Sequence, residues 1–317
     1  MGLFTALKEE VYPIKRVETF PTSPAFHMET ARALAWAAQL AYETAEEEKF
    51  ERILGRWGWR LDSMLDGIFS SALPVSTTRG YVAHAGDATI VAFAGTEPTN
   101  LLQWVQNFSI GIDAGVHEGF EAGVEAVWEV QLLPLIGTAS ALYFTGHSLG
   151  GALSVAAAHR LCKETPAAAA KIRGVYTIGM PRVGIERFAQ AYNDANAGPQ
   201  PPLGQRTFRL VHGADIVPHV PTTVAPVSYR HVGHALACPH GGRFDPQELR
   251  PPQMETADAD EPVSIRSFLT AGDDTANGSL PSFPAENILV VPIIEAMPRP
   301  VRDHLMDRYL RALGADL

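Results

Sequence analysis

Cys162 and Cys238 are the only cysteines in 317 residues. At most one disulfide is possible, which excludes a disulfide-stapled scaffold and metal sites of the paired-cysteine type. Long hydrophobic runs are missing as well. Nothing approaches the roughly 20 uninterrupted apolar residues that a transmembrane helix needs. The apolar run inside residues 1–10 is too short for a signal peptide, and Ala6 stands where a myristoylation pattern needs Ser or Thr. Positive charge is in deficit, with 25 Lys and Arg against 35 Asp and Glu for a net charge of -10. That balance argues against nucleic acid and against electrostatic docking on anionic membranes, while leaving hydrophobic contact with a lipid surface open. No repeat is visible at solenoid periods. A soluble chain is expected, cytoplasmic rather than exported.

What is present is apolar mass, 46% hydrophobic against 19% charged, enough for one large α/β core. The chain is organised around Gly146-His147-Ser148-Leu149-Gly150-Gly151. An apolar run, residues 141–145, precedes it, and a small-residue helical pattern follows over 151–161. Gly-x-Ser-x-Gly between a strand and a helix predicts a nucleophile elbow, a turn so tight that Gly146 and Gly150 have no room for a Cβ. Ser148 then sits exposed at a strained apex, and the following helix aims N–H groups and its positive dipole end at any oxyanion formed there.

The rest reads as strands alternating with helices, hence a mainly parallel sheet covered on both faces. Residues 1–26 form an arm and 29–56 one long amphipathic helix. A hairpin covers 80–85 and 88–93. Helices follow at 101–110, 117–133 and 185–195, with strands at 175–178 and 208–212. Residues 237–286 have little apolar periodicity and read as a loop-rich excursion within the single domain 1–317. A strand-like run at 287–294 precedes a last helix over 300–313, with Pro300 at its start and Gly314 after its end.

In open α/β sheets reactive groups collect at the carboxyl ends of strands. Asp215 stands just beyond the 208–212 strand and is the leading acid, given the chain order Ser, acid, His. His219, His231, His234, His240 and His304 lie beyond it as candidate bases. His219 is too near Asp215 on one loop, His231 and His234 flank Gly233 near an edge, and His240 sits in the polar excursion. His304, after the last strand-like run, is preferred.

From about residue 29 to 309 the chain resembles the class 3 lipases, the family of the fungal triacylglycerol lipases. Seven blocks in family order carry the likeness: Ala41-Tyr42, Phe93-Ala94-Gly95-Thr96, Val116 to Phe120, Gly146 to Gly151, Met180 to Gly184, Asp215 to Pro218, and His304 with Tyr309. The resemblance implies an α/β-hydrolase fold and hydrolysis of triacylglycerol or similar acyl esters. It implies a triad of Ser148, Asp215 and His304, an oxyanion hole from Thr96 and the Leu149 N–H, and no metal or cofactor. A short-chain carboxylesterase, a phospholipase or a non-catalytic lipid binder are the other readings.

The resemblance also places a lid over 97–110, where Leu101, Trp104, Val105 and Phe108 form one apolar face at i, i+3, i+4 and i+7. A closed lid buries that face over Ser148, and a lipid surface replaces the pocket as its partner, so transient contact with a lipid–water interface is expected. Activity should then jump as a short-chain triglyceride passes its solubility limit. Trp104→Ser should blunt the jump while sparing soluble esters. A smooth saturation curve through the limit, unchanged by that substitution, counts against a lid.

Overall fold

The computed structural model describes residues 6–14, 20–21, 23–70, 76–96, 116–221, 228–252 and 298–317. A seven-stranded sheet runs through them in the order β1-β2-β3-β4-β5-β7-β9. β1 (Arg60–Ile68), β2 (Thr77–Ala85) and β3 (Ala88–Phe93) form an antiparallel meander. From β3 the sheet is parallel through β4 (Ala141–His147), β5 (Ile172–Ile178), β7 (Thr207–His212) and β9 (His234–Cys238). A separate two-residue pair joins β6 (Gly184–Ile185) to β8 (Tyr229–Arg230).

β4 lies at the centre because its sequence suits burial on both faces. Leu142 and Phe144 point into one core, and Tyr143 points into the other. Thr145, between the layers, donates its hydroxyl to the carbonyl of Leu34 at 3.1 Å. The first core is closed by α3 (Val116–Val127), α4 (Leu149–Glu164) and α5 (Glu186–Asp194). The second is closed by α1 (Met28–Leu40), α2 (Glu47–Trp57) and α7 (Met306–Ala312), the last following the short helix α6 (Arg299–Arg302). The mainly parallel sheet with helices on both faces is as expected.

Three elements differ from the sequence reading. The helix expected over 29–56 is two helices, with a 3₁₀ turn at Ala41–Glu43 between them. The acidic residues Glu47 and Glu48, which resemble a solvated helix flank, open the second helix, where negative charge suits the dipole. β1 escapes detection because a register shift between Leu61 and Ser63 breaks its period of two. The terminal helix is also broken, so His304 lies on the turn between α6 and α7 and not within a helix. Gly314 does end that segment, at φ 95°. The sheet extends through Cys238, into the stretch read as a loop-rich excursion from 237, while 253–286 and the strand-like run at 287–294 lie outside the described residues.

Each edge strand of the sheet has one residue whose main chain is paired outward. On β1, Gln131 pairs its amide with the main chain of Asp66, accepting from the N–H at 2.9 Å and donating to the carbonyl at 2.7 Å. On β9, Ala235 exchanges both main-chain bonds with Arg250, at 3.0 and 2.8 Å.

The described part of the arm is held to the α1–α2 junction by one buried carboxylate. Glu43 accepts from the Leu7 N–H at 2.9 Å, the Tyr12 hydroxyl at 2.7 Å and the Lys49 ammonium at 2.8 Å. Tyr12 in turn packs against Trp36 and Trp57. Glu43→Ala leaves three donors without their acceptor and should cost about 3 kcal/mol in denaturant unfolding. Glu9→Ala removes only solvent-accessible pairings, with Arg52 and Arg56, and should cost less than about 1 kcal/mol. Equal losses would show that Glu43 is not what anchors the arm.

Candidate active site

Ser148 leaves β4 at φ 57°, ψ -127°, and it is the sole non-glycine residue with positive φ among the described residues. Such a conformation costs of order 1–3 kcal/mol and persists only where its surroundings enforce it. Here they do so by backbone contact. A Cβ on Gly146 would run into the carbonyl carbon of Gly150, and one on Gly150 would run into the carbonyl oxygen of Phe93. The expected glycine requirement is therefore real at both positions. The turn is tied by the Ser148 N–H to the Ile178 carbonyl at 2.8 Å and by the Gly151 N–H to the Ser148 carbonyl at 3.0 Å. Leu149 is the first residue of α4, so its N–H is among the first-turn donors without an intrahelical acceptor.

Asp215 is fully buried beyond the end of β7. Its carboxylate accepts from the Val217 N–H at 2.9 Å, the Tyr309 hydroxyl at 2.5 Å, and His304 Nδ1 at 2.8 and 3.0 Å. With Nδ1 donating to Asp215, His304 keeps its lone pair on Nε2, which is buried and without a hydrogen-bond partner among the described residues. Thr96, just past β3, likewise has a buried hydroxyl without a partner among the described residues. An acceptor-less hydroxyl just past β3 and a donor-less imidazole nitrogen on the turn between α6 and α7 are groups set to receive a ligand.

His147 is part of this arrangement as more than an elbow residue. Its Nε2–H donates to the His304 carbonyl at 2.7 Å, and its Nδ1 accepts from the Tyr42 hydroxyl at 2.8 Å. Burial, and then the nearby charge on His304, push its pKa well below the usual histidine value. His147 is thus a neutral brace whose ring centroid is 4.4 Å from that of His304. Tyr42 also lies against Gly95, where a Cβ would strike its hydroxyl oxygen, so one phenol joins the strand end bearing Thr96 to the elbow.

The rejected histidines have other partners. His231 is buried and donates Nε2–H to the Pro218 carbonyl at 2.7 Å, and burial followed by Arg209 and Arg182 pushes its pKa well down. Arg182 donates to the carbonyls of His219 and Pro221 at 2.6 and 2.9 Å, so both residues brace the loop that carries Asp215. His234 stacks on Phe208, and His240 pairs with Asp303. Gly179 and the bracing roles of Tyr42, Arg182 and Tyr309 are the parts that sequence reading missed. Position after the 175–178 strand is the one signal that marks Gly179.

The candidate lid residues Leu101, Trp104, Val105 and Phe108 lie outside the described residues. A cleft of about 400 Å³ between α3 and α4 contains none of the predicted site residues; its His159 is held neutral, pushed down to about 4 by burial and then by Lys163. Among the described residues no group of three or more His, Cys, Asp or Glu is placed to hold a metal, and no helix is long and apolar enough to cross a membrane. Cys162 and Cys238 are both free.

Gly179 generates a direct test. It has φ 56°, and a Cβ there would sit 2.8 Å from Asp215 Oδ2 and 3.0 Å from His304 Nδ1. Gly179→Ala should displace the imidazole and lower kcat by roughly 10²-fold, as a misplacement of about 1 Å does. The low-field proton signal of the His304–Asp215 bond should be lost with it. An alanine variant with both intact means the ring has room that the geometry denies it.

The family model described as Lipase (class 3) matches residues 90–225. A lipase of Rhizopus niveus is 34% identical over 176 residues, which is 51% of this chain and 42% of that protein. A secreted mono- and diacylglycerol lipase of Fusarium solani is 32% identical over 165 residues, 48% of this chain and 44% of that one. The chain spans less than half the length of these curated relatives. Among solved structures, a lipase from Rhizopus microsporus var. chinensis matches with a TM-score of 0.51 at 22% identity, over 81% of this chain and 91% of that one. The triacylglyceride lipase of Rhizomucor miehei matches at 0.52 and 19% identity, over 77% and 89%. The sheet order, the elbow between β4 and α4 and the helices on both faces are the α/β-hydrolase fold of these neighbours, and over residues 90–225 the chain is similar to the class 3 lipases.

Proposed function

We propose that the protein is a carboxylic ester hydrolase of the lipase type, with Ser148 as nucleophile, His304 as general base and acid, and Asp215 as the carboxylate that orients it. The observations that carry this reading are the pairing of His304 Nδ1 with a buried Asp215 at 2.8 Å while Nε2 stays unpartnered among the described residues, and a serine held at φ 57° at the elbow. His304 Nε2 takes the Ser148 hydroxyl proton as Oγ attacks the ester carbonyl. The tetrahedral oxyanion is met by the Thr96 hydroxyl and N–H and by the Leu149 N–H. The intermediate collapses as the imidazolium returns the proton to the departing alkoxide, releasing the alcohol and leaving an acyl-serine. Water, deprotonated by the same nitrogen, attacks the acyl-serine; collapse then frees the acid and restores Ser148.

The neighbours of the imidazolium matter to its stability. Asp215 supplies the compensating negative charge, and Tyr309 and the Val217 N–H hold that charge in place. A second positive ring 4.4 Å away would oppose it, so the enforced neutrality of His147 favours the charged intermediate. Acyl esters of glycerol are the substrate class proposed here, supported by the relatives named as lipases. A transient contact with a lipid–water interface through 97–110 belongs to the same reading, and a chain-length series of p-nitrophenyl esters separates it from short-chain esterase activity.

Ser148→Ala should abolish hydrolysis and labelling by a fluorophosphonate while leaving the unfolding curve in place, since the glycines and not the hydroxyl set the turn. His304→Ala should lose nearly as much, and the double variant little more, because the pair acts as a unit. Thr96→Val should lower kcat by roughly 10²-fold or more with little change in KM, as loss of an oxyanion donor does. Retained labelling in Ser148→Ala would move the nucleophile elsewhere, and a Thr96→Val variant that only unfolds more easily would make that residue a structural cap.

A further inference from the structure

We propose that His240 and Asp303 form a positioning clasp that locks the loop bearing the carboxylate to the turn bearing the base; the inference rests on the hydrolase reading of the Ser148 site. Asp303 is fully buried, and both its oxygens are used. Oδ2 accepts from the Ala214 N–H at 2.8 Å, and Oδ1 accepts from His240 Nδ1 at 2.6 Å. Ala214 immediately precedes Asp215, and Asp303 immediately precedes His304. One carboxylate therefore touches the residue next to each half of the acid–base pair, while His240 arrives from the turn after β9.

The clasp mirrors the Asp215–His304 pair with the donors exchanged. In the first, the loop after β7 gives the carboxylate and the terminal turn gives the imidazole. In the second, the terminal turn gives the carboxylate and a neighbouring loop gives the imidazole. Two such links set both the distance and the roll of the terminal turn relative to the sheet, where one would leave it free to pivot. The backbone is shaped for it. Gly213 has φ 58°, and a Cβ there would strike Asp303 Oδ2 and lie 3.3 Å from the Cα of His240. The carbonyl of Asp303 is 3.3 Å from His212 Nδ1, whose nitrogen is also 4.0 Å from Oδ1, and among the described residues the nearest guanidinium is that of Arg299, with Nε 3.9 Å from Oδ2. Without His240 the buried carboxylate keeps one short main-chain donor, and a buried carboxylate short of donors draws in water or shifts to find them. Either response rotates the turn and with it His304.

His240 is about a third exposed, so it can be replaced at little cost to folding. In the full-length chain, His240→Leu should lower kcat for p-nitrophenyl butyrate by roughly 10- to 100-fold with KM unchanged, the signature of a misaimed base. The low-field proton of the His304–Asp215 bond should broaden or shift in the same variant. His240→Asn places an amide N–H where Nδ1 stood, and it should restore most of both. Full kcat in His240→Leu, a change confined to KM, or an Asn variant as impaired as the Leu variant would each overturn the clasp. If His240→Leu does not fold, His240→Ser gives the same comparison with the Asn variant. The proton signal separates the two readings: a wild-type chain that hydrolyses no ester defeats the proposed function, yet a resonance that still responds to His240 keeps the clasp.

Discussion

Everything at the candidate site depends on how closely one backbone approaches another at the end of β4. The Cα of Gly150 rests against the carbonyl of Phe93, and the Cα of Gly146 rests against Gly150. These contacts set the start of α4 directly beside the end of β3, and Gly95 beyond β3 approaches the elbow at His147 and Ser148. Ser148 is strained because that approach leaves it no other conformation. Stability lost there is recovered in the two cores on either side of β4, where Leu142, Phe144 and Tyr143 are almost wholly buried.

Around the turn, order comes from polar groups that are neutral where a charge would harm and charged where it is matched. His147 and His231 sit deep enough that burial keeps them uncharged, and each spends its N–H on a carbonyl of a site loop. Asp215 and Asp303 are the buried carboxylates of the same region, and each meets a main-chain N–H and an imidazole. The loops of the site are thus tied through main-chain atoms, which makes the arrangement tolerant of side-chain changes in the loops and intolerant of changes in the braces.

Much of this was legible in the sequence, for reasons that differ by element. β3 and β4 stand out because strands buried on both faces are largely apolar, and the elbow stands out because its requirement is local. Asp215, the proposed acid, is picked out by its place after a strand. His304 is preferred from position alone, since its contact with Asp215 spans 89 residues and no local pattern encodes it. The breaks at 41–46 and at 303–305 could not be read, because the groups that occupy them are distant in sequence: Leu7 and Tyr12 for Glu43, Ala214 and His240 for Asp303. β1 was hidden by its bulge, and Gly179 by the fact that its neighbours are side chains from two other loops.

The plugged edges of the sheet have a consequence for behaviour at high local concentration. An open strand edge is a template for pairing with another chain, and such pairing is fastest where chains are crowded. The Gln131 amide occupies the main-chain positions at Asp66 that an incoming strand would need, and Arg250 does the same at Ala235. Neither plug belongs to the hydrophobic core, so either can be removed without emptying it. With both plugs in place, Asp66 and Ala235 have no main-chain group left to template a further strand.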